Sequence, residues 1–174
     1  MKKILSILGA ISLVGTSTTS LVACNTPQEY TPEELTKLKE ENKIKTNNKE
    51  IRDNLEWIAP QEKPFNTVDN KWYYVVWRGN TNDNWFIVKF NNDKIYKEHR
   101  KILDKKNNME LYIGVEIYWG YETVILFIVN NDNDSDVKWN KDNGKYFKAI
   151  YRWNLDTNIS DLLDIDENGN IKVK

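Results

Sequence analysis

The chain has 174 residues, with 25 basic and 26 acidic side chains and a formal net charge of −1. This near-neutral balance offers no clustered basic face of the kind that nucleic-acid binding needs, so nucleic acid is not an expected partner. The length suits one globular domain with its own hydrophobic core, preceded by a short N-terminal extension.

The first 23 residues have the layout of a secretory signal peptide. Lys2 and Lys3 form a basic start, an apolar run extends from Ile4 to Val14, and small residues follow from Gly15 to Ser20. A transmembrane helix needs about 20 predominantly apolar residues, and this run is shorter and interrupted by polar ones. We therefore interpret residues 1–23 as an export signal that is cleaved, rather than as a permanent span.

The leader ends in Leu21, Val22, Ala23 and Cys24. This L-V-A-C string resembles the lipobox of bacterial lipoprotein precursors, and the whole leader is similar to those of mollicute membrane lipoproteins of the Spiroplasma type. The resemblance implies cleavage between Ala23 and Cys24, a diacylglyceryl group with chains such as palmitate on the Cys24 sulfur, and a position on the extracellular face of the cell membrane. Cys24 is the only cysteine, so no disulfide can form within the chain. An unmodified cysteine behind an ordinary signal peptide is the alternative.

A helix is expected shortly after the leader. Thr31, Pro32 and Glu34 have the spacing of a capping box with proline at the first helical position. Because the apolar content of this segment is low, we interpret residues 24–49 as a lipidated tether and helical stalk. A fully ordered helix packed on the domain is the alternative, and residues 50–58 are expected to form a short docked helix.

From Trp72 onward the pattern changes to period 2 or to continuous apolar runs, which are typical of strands. The predicted strands and turns follow in chain order: strands 72–78 and 85–90, an undecided segment 95–104, a central hairpin 111–119 and 122–129 with its turn at Gly120-Tyr121, an acidic loop 130–143, a strand 146–153, a helical turn 159–163 capped by Asn158, and a strand 171–173. Residues 50–174 are thus expected to form a β-rich domain. Segments 71–80 and 145–154 share a pattern of lysine, aromatics and arginine, which either a duplication or similar packing explains.

Aromatic residues supply the positive indication of binding. Alternation sends neighbouring rings of one strand to opposite faces, and a single sheet with one helix cannot cover both. Some rings should therefore be exposed and able to stack on a sugar or a partner surface. The candidates for stacking are Trp72, Trp77, Trp85, Trp119 and Trp153. A two-layer sandwich that buries them is the alternative.

Metal and catalytic motifs are weak. Asp132, Asp134 and Asp136 alternate, and Asp164, Asp166 and Asn168 precede Gly169, but both segments depart from a calcium-binding loop and are interpreted as solvated turns. His99 is the only histidine and is expected at the surface, so a serine triad or a zinc site has little support. No metal and no cofactor is expected.

The sequence therefore predicts an α+β protein: a mostly antiparallel β-sheet domain preceded by an N-terminal helical stalk and a cleaved signal peptide. The expected function is that of a non-catalytic binding module held at the membrane by its lipid, with a protein or a glycan as partner. A small extracytoplasmic hydrolase that uses paired carboxylates is the alternative.

Overall fold

Antiparallel strands account for most of the regular structure. The structure, a computed structural model, describes residues 29–96, 100–133, 135–157 and 159–174. The predicted leader, the lipobox with Cys24, His99, Asp134 and Asn158 lie outside these residues. The strands are β1 Leu55–Trp57, β2 Trp72–Trp77, β3 Phe86–Asn91, β4 Lys101–Lys106, β5 Met109–Tyr118, β6 Tyr121–Asn130, β7 Ser135–Lys138, β8 Phe147–Trp153, β9 Leu163–Ile165 and β10 Ile171–Val173.

Two α-helices, α1 Pro32–Glu41 and α2 Lys49–Asn54, precede the strands. The capping box predicted for α1 is confirmed, because the Thr31 hydroxyl accepts from the Glu34 amide at 3.2 Å and the Glu34 carboxylate accepts from the Thr31 amide at 2.9 Å. At the start of α2, the Asn48 side chain accepts from the Ile51 amide at 3.1 Å. In the described part of the chain, neither helix has the length and apolarity that crossing a bilayer demands. The described residues also contain four 3-10 turns: Pro60–Glu62, Pro64–Asn66, Trp139–Lys141 and Ser160–Leu162.

The strands form two four-stranded sheets and one small hairpin, and all pairs are antiparallel. Sheet A has the strand order β1-β8-β2-β3, and sheet B has the order β4-β5-β6-β7. β9 and β10 pair only with each other. The two segments with similar patterns, 71–80 and 145–154, contain β2 and β8, which are hydrogen-bonded neighbours in sheet A. Whether they arose by duplication stays a hypothesis.

The main core lies between the two sheets. Tyr73, Val75 and Trp77 of β2 face Leu111 and Ile113 of β5 across it. Phe65 lies fully buried among the rings of Tyr73, Phe90 and Trp139, with centroids 5.0 to 6.0 Å apart. Such aromatic contacts contribute beyond the area that they bury. The two sheets therefore form a sandwich.

A second core covers the other face of sheet A. Tyr74, Val76 and Trp153 point into it and meet Ile51 of α2 and Leu163 of β9. Sheet A is thus covered on both sides, and its Trp77 and Trp153 rings are buried, as the alternative of a two-layer sandwich expects.

The segment before α2 rests on the domain. The Lys39 ammonium of α1 lies 2.5 Å from Glu56 and 2.6 Å from Glu62. Tyr30 and Gln61 exchange two hydrogen bonds, at 2.6 and 2.9 Å, and Ile44 is buried in the second core. Of the two alternatives for this segment, these contacts agree with a helix that lies on the domain.

Three local predictions need correction. The predicted loop 130–143 contains β7 and a 3-10 turn whose Trp139 is buried in the main core. The short helix expected over residues 50–58 ends at Asn54, because residues 55–57 form β1. In segment 95–104, which the sequence leaves undecided, β4 begins at Lys101. The turn between β5 and β6 is Trp119-Gly120 rather than Gly120-Tyr121, because Tyr118 pairs directly with Tyr121.

Candidate binding surface at the β5–β6 hairpin

The β5–β6 hairpin extends beyond the sandwich. Leu111, Ile113, Val115 and Ile117 alternate along one face of β5, which is the face that meets sheet A. Leu111 and Ile113 are fully buried and Val115 is half-buried, whereas Ile117 is 68% exposed. The last residues of β5 and the first of β6 therefore project past the cover that sheet A supplies.

Three large apolar side chains lie at the end of this hairpin and are exposed: Ile117 at 68%, Trp119 at 83% and Tyr121 at 78%. We call them the apolar tip. Sequence reasoning singled out Trp119 but missed Ile117 and Tyr121. The available signal was that apolar residues continue on both sides of Gly120, where a surface turn usually carries polar ones.

The turn at the tip has an unusual composition. Trp119 and Gly120 both have positive φ, 51° and 79°, as in a type I′ turn. That conformation favours Asn-Gly or Asp-Gly, and it is costly for a large side chain in the first position. Local backbone preference therefore does not account for tryptophan at position 119.

A cavity of about 320 Å³ adjoins the tip. Its wall combines apolar groups with charged and amide groups, which is the usual composition of a small-ligand site. The lining residues are Glu29, Pro60, Gln61, Lys63, Glu116, Tyr121, Thr123, Ile125, Asn140 and Lys141. Tyr121 belongs to both the cavity and the apolar tip, whereas Ile117 lies on the opposite face of the hairpin, so the cavity adjoins the tip at Tyr121.

Glu116 supplies the cavity's most constrained charge. Its carboxylate lies 3.1 Å from the Lys138 ammonium and 3.5 Å from that of Lys141, and it accepts a hydrogen bond from the Asn140 amide at 3.0 Å. Burial by itself would raise the pKa of Glu116, but these cationic and amide donors outweigh it and lower the pKa. Glu116 therefore stays ionised and acts as a fixed hydrogen-bond acceptor.

A second cavity, of about 230 Å³, shares Pro60 and Asn140 with the first. Tyr30, Trp57, Trp139 and Phe147 contribute rings to its wall. Trp57 is half-buried in β1 and was not among the predicted stacking residues. Its three-residue strand is too short to show an alternation that could have identified it.

Two of the predicted stacking residues belong to the cores. Trp77 and Trp153 are fully buried, and their indole N–H groups donate to Asp104 and to Thr157, each at 3.2 Å. A ring enclosed on both faces cannot receive a ligand, so their assignment to a stacking surface is wrong. They stabilise the sandwich instead.

Trp72 and Trp85 are half-buried against the second core. The Arg78 guanidinium lies 4.3 Å from the centre of a Trp85 ring, and the Lys89 ammonium lies 5.6 Å from that of Trp72. Such cation–π contacts take up part of each ring surface. Trp119 is therefore the predicted stacking residue with the most accessible ring.

The partly buried carboxylates are held in ion pairs. Burial would raise the pKa of Glu56, but hydrogen bonds from Lys39, Asn154 and Arg152 outweigh it and lower the pKa. The pKa of Glu110 is also lowered, first by the hydrogen bond from Lys105 and then by that from the Tyr112 hydroxyl. A general acid needs a raised pKa, so Glu56, Glu110 and Glu116 do not suit that role.

The acidic turns are occupied by their own hydrogen bonds. Asp166 accepts from the amides of Asn168 and Asn170 at 2.9 and 2.8 Å, and Asp132 accepts from the Asn108 side chain at 2.9 Å. Among the residues that the structure describes, no three metal-ligating side chains of histidine, cysteine, aspartate or glutamate converge on one point. The carboxylates of Asp132 and Asp166 are therefore engaged by hydrogen bonds from neighbouring loop residues.

Comparison with protein-family models, with curated proteins and with solved structures finds no match to this chain. The geometry of the apolar tip and its cavity therefore carries the functional argument.

Proposed function

We propose that the protein is a lipid-anchored surface protein on the extracellular face of the membrane and acts as a binding module rather than as an enzyme. The membrane attachment is supported by the leader and by Leu21, Val22, Ala23 and Cys24, which resemble a lipobox. A diacylglyceryl group has two acyl chains, and two chains hold a protein stably where one holds it marginally. The anchor would then need no help from the polypeptide.

One observation carries the binding role: Tyr121, 78% exposed at the apolar tip, lines a cavity of about 320 Å³. Tyr121 offers an exposed ring for stacking, and Lys63, Thr123 and the ionised Glu116 line the cavity beside it. Ring stacking next to directional polar groups is the chemistry that recognises a sugar ring or a peptide side chain. The proposed partner is accordingly a glycan or a protein at the cell surface.

The anchor is tested with Cys24→Ser in the full chain. The parent should sediment with membranes and enter the detergent phase on phase separation, whereas the serine variant should appear in the supernatant and the aqueous phase. Equal partitioning of the two chains would show that the Cys24 sulfur carries no anchor.

The binding role is tested on a glycan array and on intact cells, with the mature chain carrying Cys24→Ser. Tyr121→Ala should abolish the signals that the parent gives. Asn107→Ala is the matched control, since Asn107 lies in the β4–β5 turn with a positive φ of 53° and away from the cavity lining. Signals that survive Tyr121→Ala, or that Asn107→Ala removes equally, would contradict the assignment of this surface.

A further inference from the structure

The described chain begins beside the apolar tip. Glu29 lines the same cavity as Tyr121, and Trp119 is two residues from Tyr121. Five peptide units separate Cys24 from Glu29, and a fully extended chain of that length spans at most about 18 Å. If Cys24 carries the lipid, the bilayer surface lies within that reach of the cavity rim.

The side chains of the tip suit that surface. Tryptophan and tyrosine concentrate at the boundary between headgroups and acyl chains, because each combines an apolar ring with a polar N–H or O–H. Ile117 adds an aliphatic group, and the three are exposed by two-thirds or more. Apolar side chains at the end of a projecting hairpin can enter this boundary without changing the rest of the sheet.

The backbone conformation of Trp119 also supports a contact with the membrane. A tryptophan at a φ of 51° is disfavoured relative to asparagine or glycine, so the hairpin gives up some stability by having it there. The Trp119 side chain is thus kept at a local backbone cost and is 83% exposed, so its ring is available for a contact outside the domain.

We propose that Ile117 and Trp119 of the apolar tip insert into the headgroup region of the bilayer that holds the lipid anchor, as a second attachment point of the domain, while the Tyr121 ring stays at the cavity. This inference rests on the proposed lipidation of Cys24. A short tether turns the second contact into an intramolecular event with a high effective concentration, so two side chains suffice for a contact that would be weak alone.

The contact has two consequences. Two attachment points restrict the tilt of the domain relative to the membrane, whereas a single lipid anchor does not. The cavity next to Tyr121 is then held at the level of the headgroups, within reach of a glycan or protein carried by the same membrane. Because Glu29 and Glu122 lie near the tip together with Lys63, the contact should not require anionic lipid.

The experiment measures tryptophan fluorescence of the full chain, expressed with its leader in a bacterium that processes it and reconstituted into phosphatidylcholine vesicles. Bromine atoms on the acyl chains quench an indole that lies within the bilayer boundary. The parent should show quenching that depends on bromine, and Trp119→Phe should lose most of it. Trp72→Phe is the control, since Trp72 is half-buried against the second core on the outer side of sheet A and should leave the quenching unchanged.

Three results would overturn the proposal and are distinguishable from one another. A lipidated chain that floats with the vesicles while parent and Trp119→Phe are quenched equally would refute the tip contact and leave the anchor standing. Mass spectrometry that finds Cys24 unmodified would refute the anchor and, with it, the argument from tether length. A Trp119-dependent emission shift that needs no vesicles and grows with protein concentration would assign the tip to a second copy of the chain.

Discussion

Glu56 of β1 lies directly opposite Arg152 of β8, and their side chains form an ion pair with an N···O distance of 2.7 Å. The same carboxylate receives the Lys39 ammonium of α1 at 2.5 Å and the Asn154 amide at 3.3 Å. One side chain therefore joins the N-terminal helix to the edge of sheet A. Because Glu29 and Tyr30 precede this helix, its attachment also positions the chain that leads to the proposed anchor.

Glu56→Gln should lower the free energy of unfolding by about 1–3 kcal/mol, because hydrogen bonds to a charged group are replaced by weaker neutral ones. Urea denaturation of parent and variant measures the difference. Glu167→Gln in the exposed β9–β10 turn is the control and should stay within about 0.5 kcal/mol of the parent. Equal losses in the two variants would show that the Glu56 cluster has no special role.

The carboxyl groups of Glu56 and Glu116 predict that the stability of the fold depends on pH. The pKa of Glu56 and that of Glu116 lie below the usual value of 4.5 in the folded chain, because donors outweigh burial. A carboxyl whose folded pKa is depressed stabilises the fold fully above its unfolded pKa, and this contribution is lost as pH falls through the folded pKa. The free energy of unfolding should therefore decrease as the pH is lowered below about 4.5.

A pH series of urea denaturations on the parent and on Glu56→Gln tests this dependence. The free energy of unfolding of the variant should decrease less below pH 4.5 or so, since the variant lacks the Glu56 carboxyl group and keeps that of Glu116. Parallel curves would mean that Glu56 does not titrate differently in the folded and unfolded chains.

Gly169 and Gly144 form a matched pair for a steric prediction. Both have positive φ, 77° and 85°, so alanine at either position adopts a disfavoured conformation that costs about 1–2 kcal/mol. A Cβ at Gly169 would also lie 2.6 Å from the Trp85 ring, whereas a Cβ at Gly144 meets no atom within 4 Å. Overpacking of this kind costs a further 1–3 kcal/mol or so.

Gly169→Ala should therefore destabilise the chain clearly more than Gly144→Ala, as measured by thermal or urea unfolding. Adding Trp85→Ala to each variant separates the two causes, because the steric part should disappear only at Gly169. Equal destabilisation by the two alanines would show that Trp85 moves aside without cost.

Alternation and residue type sufficed to predict the long strands. β2, β5, β6 and β8 are rich in β-branched and aromatic residues, and the structure places them within one or two residues of the predicted bounds. The capping box at Thr31 was equally accessible, because a cap is decided by neighbouring residues alone. Features that depend on neighbouring residues alone could therefore be predicted from the sequence.

The residues that cover the second face of sheet A could not be identified from the sequence. It is assembled from Ile44, Ile51, Ile159, Leu163 and Ile171, which come from four short segments that each contribute one or two apolar residues. None of these segments shows a period, so only tertiary contact reveals that they bury Trp153. The same limit explains why Trp153 was assigned to a stacking surface, whereas Trp77 is buried in the main core against sheet B.

The turn between β5 and β6 shows the limit of turn rules. Tryptophan is disfavoured where φ is positive, so the sequence favoured Gly120-Tyr121 as the central pair. The observed register, with Tyr118 opposite Tyr121, makes Trp119 the first turn residue. A position that breaks a local rule is where function is expected to outweigh stability.

Trp119→Asn tests that trade-off directly. The substitution creates Asn-Gly, the pair that a type I′ turn favours, and should raise the free energy of unfolding by up to about 1 kcal/mol. Asn107→Trp is the reciprocal variant, because Asn107 has a φ of 53° in the β4–β5 turn and should lose a similar amount of stability. Urea denaturation measures both changes. If Trp119→Asn instead destabilises the chain, the indole contributes to the hairpin more than its backbone conformation costs, and the argument for an external contact from strain at Trp119 fails.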